Sequence, residues 1–131
     1  MDRRFVLAGL IALAPAVAQS QDMAKHKRGG GESYLQLGVI EGTTFRMDGR
    51  RGVMTVEAGV DAPDPGVRQR AQSLTPMLKA AYSEVVRNYA AGLPPGAVPN
   101  ADYLSLELQR QTDRVIGRSG VRFLLGTILV N

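Results

Sequence analysis

Asp48-Gly49 lies between two stretches that alternate apolar and polar residues, and this segment constrains the fold more than any other. Asp-Gly suits the positive φ angles of a tight hairpin turn. Before it, Leu37, Val39, Thr43, Phe45 and Met47 alternate with Gln36, Gly38, Thr44 and Arg46. After it, Met54, Val56, Ala58 and Val60 alternate with Thr55, Glu57 and Asp61. A two-residue turn at 48–49 predicts Phe45 opposite Gly52, Thr43 opposite Met54, Val39 opposite Ala58 and Leu37 opposite Val60. That register puts the apolar residues of both strands, Phe45 included, on one buried face, as the pleat of an antiparallel pair requires.

Beyond the hairpin the period changes. Asp64-Pro65 is a helix start: an N-cap acceptor, then a residue without the N–H that would go unpaired. Val67, Ala71, Leu74, Leu78, Ala81, Val85 and Tyr89 recur at spacings of three and four, which predicts an amphipathic helix to about Ala91, stopped by Gly92. Pro76 interrupts it. Its ring removes the bond to Gln72 and clashes with that carbonyl, so a kink or break is expected. Leu93 to Pro99, with three prolines and Gly96, reads as a loop. Asn100 or Asp102 caps a second helix carrying Leu104, Leu108, Val115 and Ile116, which Gly117 and Gly120 end. Val121 to Val130 is almost continuously apolar, the pattern of a strand buried on both faces at the centre of a sheet. The expected fold is therefore α+β: a small antiparallel sheet, made of the N-terminal hairpin and the C-terminal strand, packed against two helices.

Ahead of this domain, expected at residues 34–131, stand two segments of different character. Residues 1–18 run from Arg3-Arg4 through apolar Phe5–Ala14 to Ala16-Val17-Ala18, the form of a cleavable signal peptide with small residues at Ala16 and Ala18. The run is shorter than the ~20 residues that span a bilayer, so no transmembrane span is expected after cleavage. Arg3-Arg4 resembles a twin-arginine export signal, and the general secretory route also accepts two arginines. Both routes lead to the periplasm. Residues 19–33 form a polar tether with Lys25-His26-Lys27-Arg28 and Gly29-Gly30-Gly31, whose basic quartet can touch the anionic inner-membrane surface.

The residue inventory excludes much chemistry. The chain of 131 residues has no Cys and one His, so disulfides, thiolate sites and multi-histidine metal sites are absent. His26 falls in the tether, where nothing holds it at a catalytic angle. The glycine run precedes Glu32-Ser33 rather than Lys-Ser, so it is no phosphate loop. Asp48, Asp61 and Asp64 have turn, strand-end and capping duties, and Glu84, Glu107 and Asp113 fall on wet helix faces, which leaves no catalytic carboxylate pair. No catalytic, cofactor or metal residues are assigned. A net charge of +4 is too small for a nucleic-acid footprint. Arg46, Arg50 and Arg51 cluster at the hairpin tip as a candidate contact for an anion or a protein partner.

Gly120 to Asn131, with Gly52 to Val60 as second strand, resembles the periplasmic domain of the flagellar basal-body-associated FliL family in the position and length of the closing strand and its terminal amide. The resemblance covers residues 34–131. It implies a stomatin-like fold, no enzymatic activity, no cofactor, and function through protein partners near the flagellar motor, with self-association. The alternative reading is a small periplasmic binding module for an anionic ligand, held by the hairpin arginines.

Overall fold

The computed structural model describes residues 31–131. The proposed signal residues Arg3, Arg4, Ala16 and Ala18 and nearly all of the tether lie outside the described residues. Residues 33–131 make one compact unit. Its elements, in chain order, are β1 (Tyr34–Phe45), β2 (Arg51–Asp61), α1 (Pro65–Ser73), α2 (Thr75–Gly92), α3 (Ala101–Ile116) and β3 (Arg122–Val130). The three strands form one antiparallel sheet in the order β1-β2-β3, and the helices cover one face, α2 against β1 and α3 against β3. This is an α+β fold with three helices rather than two.

The additional helix comes from Pro76. α1 ends at Ser73, Leu74 sits between the helices with φ −97° and ψ 9°, and α2 restarts at Thr75 with Pro76 in its first turn. At that position the missing N–H costs nothing. The restart also moves the buried stripe. Leu78, Tyr82, Val86 and Ala90 are fully buried, while Leu74, Val85 and Tyr89 flank them against the core. The caps follow the sequence: Asp64 accepts from the Val67 N–H at 2.9 Å, Asn100 accepts from the Tyr103 N–H at 3.0 Å, and Gly117 closes α3. α2 ends where Leu93, forced to extended backbone by Pro94, turns the chain away.

The hairpin is correct in kind and wrong in register. Gly49 N–H donates to the Arg46 carbonyl at 3.0 Å and Arg46 N–H to the Arg50 carbonyl at 2.8 Å, so the loop has three residues, Met47 to Gly49. Gly49, at φ 83°, takes the left-handed position that closes such a loop. Phe45 therefore pairs with Arg51, Thr44 with Gly52 and Thr43 with Val53. Every side chain in this half of β1 is turned to the face opposite the expected one. Ile40 and Thr44 are buried, and Val39, Phe45 and Met47 are exposed at 58%, 48% and 83%. A bulge between Gln36 and Gly38, the latter at φ 90°, then shifts the register again and returns Leu37 to the core. On β2 the expected residues Met54, Val56, Ala58 and Val60 are all buried.

The expected place of the last strand is also corrected. β3 pairs with β2 alone among the described residues and forms an edge, so β2 is the central strand. The short hairpin commits one side of β2 to β1, and β3 takes the other. Of the β3 side chains only Phe123 is buried; Leu129 and Val130 stand exposed at 62% and 46%.

Candidate interaction surface

The outer face of the sheet is built by the residues that the hairpin register turns away from the helices. Opposed pairs share a face in an antiparallel sheet. Val39–Glu57, Glu41–Thr55, Thr43–Val53 and Phe45–Arg51 therefore stand together, joined from β3 by Leu129 opposite Thr55 and Leu124 opposite Gly59. Phe45 and Val53 are diagonal neighbours near the hairpin end. Val39, Phe45, Val53 and Leu129 are each more than two-fifths exposed. No helix of the described residues covers this side.

At the opposite end the face is closed by its own side chains. The Tyr34 ring lies over Gly59, where a Cβ would collide with the phenol. Burial raises the Tyr34 phenol above its ordinary range, and the Glu57 carboxylate adds to the rise. Glu57 in turn lies across Gly126 and accepts weakly from the Thr127 N–H at 3.4 Å. Ser33 donates to Asp61 at 2.5 Å and, with Ala62 N–H donating to the Ser33 carbonyl at 2.9 Å, pins the start of β1 to the end of β2.

The three hairpin arginines are not brought to a single point. Arg51 opens β2 opposite Phe45, Arg50 is exposed in the turn, and Arg46 lines a cleft of about 330 Å³ with Met47, Leu93, Pro94 and Val130. Arg46 stands 4.0 Å from Asp48 in an exposed ion pair. The same cleft meets the buried Thr44 hydroxyl, which has no hydrogen-bond partner. A second cleft, of about 440 Å³, runs between α2, α3 and the proline loop. Its Tyr89 and Tyr103 rings stack at 5.6 Å, and the Tyr89 hydroxyl accepts from the Asn100 N–H at 2.8 Å, a clip for the loop.

Among the described residues, no three Asp, Glu or His side chains are placed to hold a metal ion, and no helix is long and apolar enough to cross a membrane. Sequence reasoning missed the outer face because it assigned Val39 and Phe45 to the core. Its only available signal was the weak Ile40-x-Gly42-x-Thr44 alternation, offset by one from the apolar series. No family model, curated protein or solved structure matches the chain.

Proposed function

We propose that the chain is a non-enzymatic, exported FliL-like domain that works by binding a protein partner on the open face of its sheet. The observation that carries this reading is the hairpin register, which leaves Phe45 and Val53, with Leu129 of β3 beside them, on a face the helices do not cover. Contiguous exposed apolar surface marks interaction sites in folded proteins. Arg51 beside Phe45 gives the hairpin end a positive rim, so the partner presents apolar side chains bordered by acidic ones. A periplasmic, motor-associated role is what the family resemblance implies.

The test is deletion of the gene in its host, scored by swimming in soft agar and complemented by the intact chain or by Val53→Lys. Reduced swimming, restored by the intact chain and not by a folded Val53→Lys, supports the reading. Unchanged swimming removes the motor role, and full rescue by Val53→Lys removes the open face. Fractionation tests export, and Arg3-Arg4 replaced by Lys-Lys separates the two routes: export that survives the change belongs to the general one.

The second reading, an anionic ligand, narrows to Arg46, whose cleft contains the unpartnered Thr44 hydroxyl. Phosphate at a hundredfold excess over Kd would then stabilise the fold by about 2.7 kcal/mol, and Arg46→Ala would abolish the gain. An unchanged melting temperature across phosphate concentrations eliminates this reading.

A further inference from the structure

We propose that the cleft between α2, α3 and the proline loop is a binding site for a small aliphatic primary amine, held as its ammonium ion. The cleft lies in the helical layer, on the side of the sheet away from the open face, so it stands apart from the protein-binding reading. It holds about 440 Å³, within the ~300–1,000 Å³ of pockets that take small ligands. Its walls divide by chemistry. Tyr89, Tyr103, Asn88 and Glu107 supply aromatic faces and oxygen acceptors, while Val85, Leu93 and Pro94 supply apolar surface. Among the described residues, no lysine or arginine lines it.

Three features of the cleft favour a positive guest. Tyr103 and Glu107 stand one turn apart on α3, so ring and carboxylate share one face of the helix. Tyr89 stacks on Tyr103 with centroids 5.6 Å apart and planes inclined by 28°. A cation within ~6 Å of such a ring is attracted by its electron-rich face. Gly92 brings the carbonyl end of α2 to the wall, and the last turn of that helix has no basic residue to neutralise it. The N–H end of α3, which would repel a cation, is already answered by its Asn100 cap and by Asp102 in the first turn.

The Glu107 carboxylate decides which cation fits. Its side chain is 23% exposed, and its ion pair with Arg110, at 2.6 Å, engages Oε1 alone. Arg110 itself is 69% exposed, and an ion pair so open to water is worth little. Oε2 has no hydrogen-bond partner among the described residues. One free oxygen suits an ammonium better than the planar fork of a guanidinium, which is matched by both oxygens of a carboxylate. A quaternary ammonium has no N–H to give to Oε2 or to the Asn88 carboxamide. A primary ammonium has three, and its carbon chain meets the apolar wall of Val85, Leu93 and Pro94. The Tyr89 hydroxyl, accepting from the Asn100 N–H at 2.8 Å, fixes the loop that bounds the site.

The test is an NMR titration of the full chain with n-butylammonium chloride, set against potassium chloride at equal ionic strength. Saturating shifts at the Gly92 and Glu107 amides and the Tyr103 ring are expected with the amine and not with potassium. Tetramethylammonium is expected to bind more weakly than the primary amine. Glu107→Gln is expected to weaken butylammonium binding about tenfold or more, and Tyr103→Leu by roughly two- to fivefold. Arg110→Ala, at an exposed position, is expected to tighten binding because it releases Oε1 to the guest; a structural role for the pair would not produce that gain. Shifts that fail to saturate, or that potassium reproduces, overturn the proposal, as does unchanged affinity in a folded Glu107→Gln. A Gly-Lys-Gly peptide that binds ~tenfold more tightly than butylammonium assigns the cleft to a protein's lysine and overturns the free amine.

Discussion

The Tyr82 hydroxyl lies 2.5 Å from the Thr112 hydroxyl, joining α2 to α3 in the centre of the core. Thr112 donates onward to the Leu108 carbonyl at 2.8 Å, so Tyr82 must be the donor of the pair. Both side chains are fully buried, and the Tyr82 ring meets Phe123 of β3 edge-on at 5.2 Å. Thr112→Val leaves the buried phenol without an acceptor, which costs about 1–3 kcal/mol. Tyr82→Phe removes the donor and leaves Thr112 its bond to Leu108, so its cost is smaller, about 0.5–1.5 kcal/mol. Urea unfolding of the two variants checks that order.

The same burial sets an alkaline limit. Desolvation pushes the Tyr82 phenol up to about 12; the bond to Thr112 partly opposes the rise and nearby Asp113 adds to it. A folded-state pKa raised above the unfolded value means the native state holds its proton longer. The corresponding stability is complete below pH ~10, the ordinary tyrosine value, and is lost as pH climbs toward the folded value. Tyr82→Phe is expected to flatten this part of the stability curve, measured by urea unfolding at pH 9 to 12. Tyr34→Phe is expected to keep most of the decline.

Close approach of β1 and α2 depends on Gly42. A Cβ there would stand 2.8 Å from the Ala90 Cβ and 2.9 Å from the Val86 carbonyl oxygen. Since the second of these is helix backbone, the helix itself must move. Gly42→Ala is expected to destabilise by roughly 1–3 kcal/mol, read by thermal melting.

Gln109 holds the first turn of the β3 edge by imitating a paired strand: its carboxamide accepts from Phe123 N–H and donates to the Val121 carbonyl. Gln109→Ala is expected to speed amide exchange at Phe123 by at least tenfold, with Leu104 and Leu108 in the same helix unaffected. Equal protection of Phe123 in both proteins would show that the carboxamide does not cap the edge.

Local chemistry made much of this fold legible. Asp64, Asn100 and Gly117 cap helices because their side chains or backbone answer unpaired groups within a few residues. Pro76 breaks a helix for an equally local reason. The face of β1 was not legible, because it depends on one residue of loop length and one bulge. Each shift of one inverts the face, and apolar Val39 and Phe45 argued for the wrong side. Thr112 was overlooked because a threonine on a helix stripe reads as polar until Tyr82 is placed opposite it. The edge position of β3 depends on which strands β2 pairs with, which strand composition alone does not encode. The arginines that sequence grouped at the hairpin tip are separated by the same turn that flips the face.

The outward face of the hairpin is the central claim, and NMR with a water-soluble paramagnetic agent tests it most directly. Methyl signals of Val39 and Val53 should broaden strongly, while those of Ile40, Met54 and Val56 should not, since the latter are at most 5% exposed. Protection of Val39 with broadening of Ile40 would restore the two-residue turn register and contradict the open apolar face.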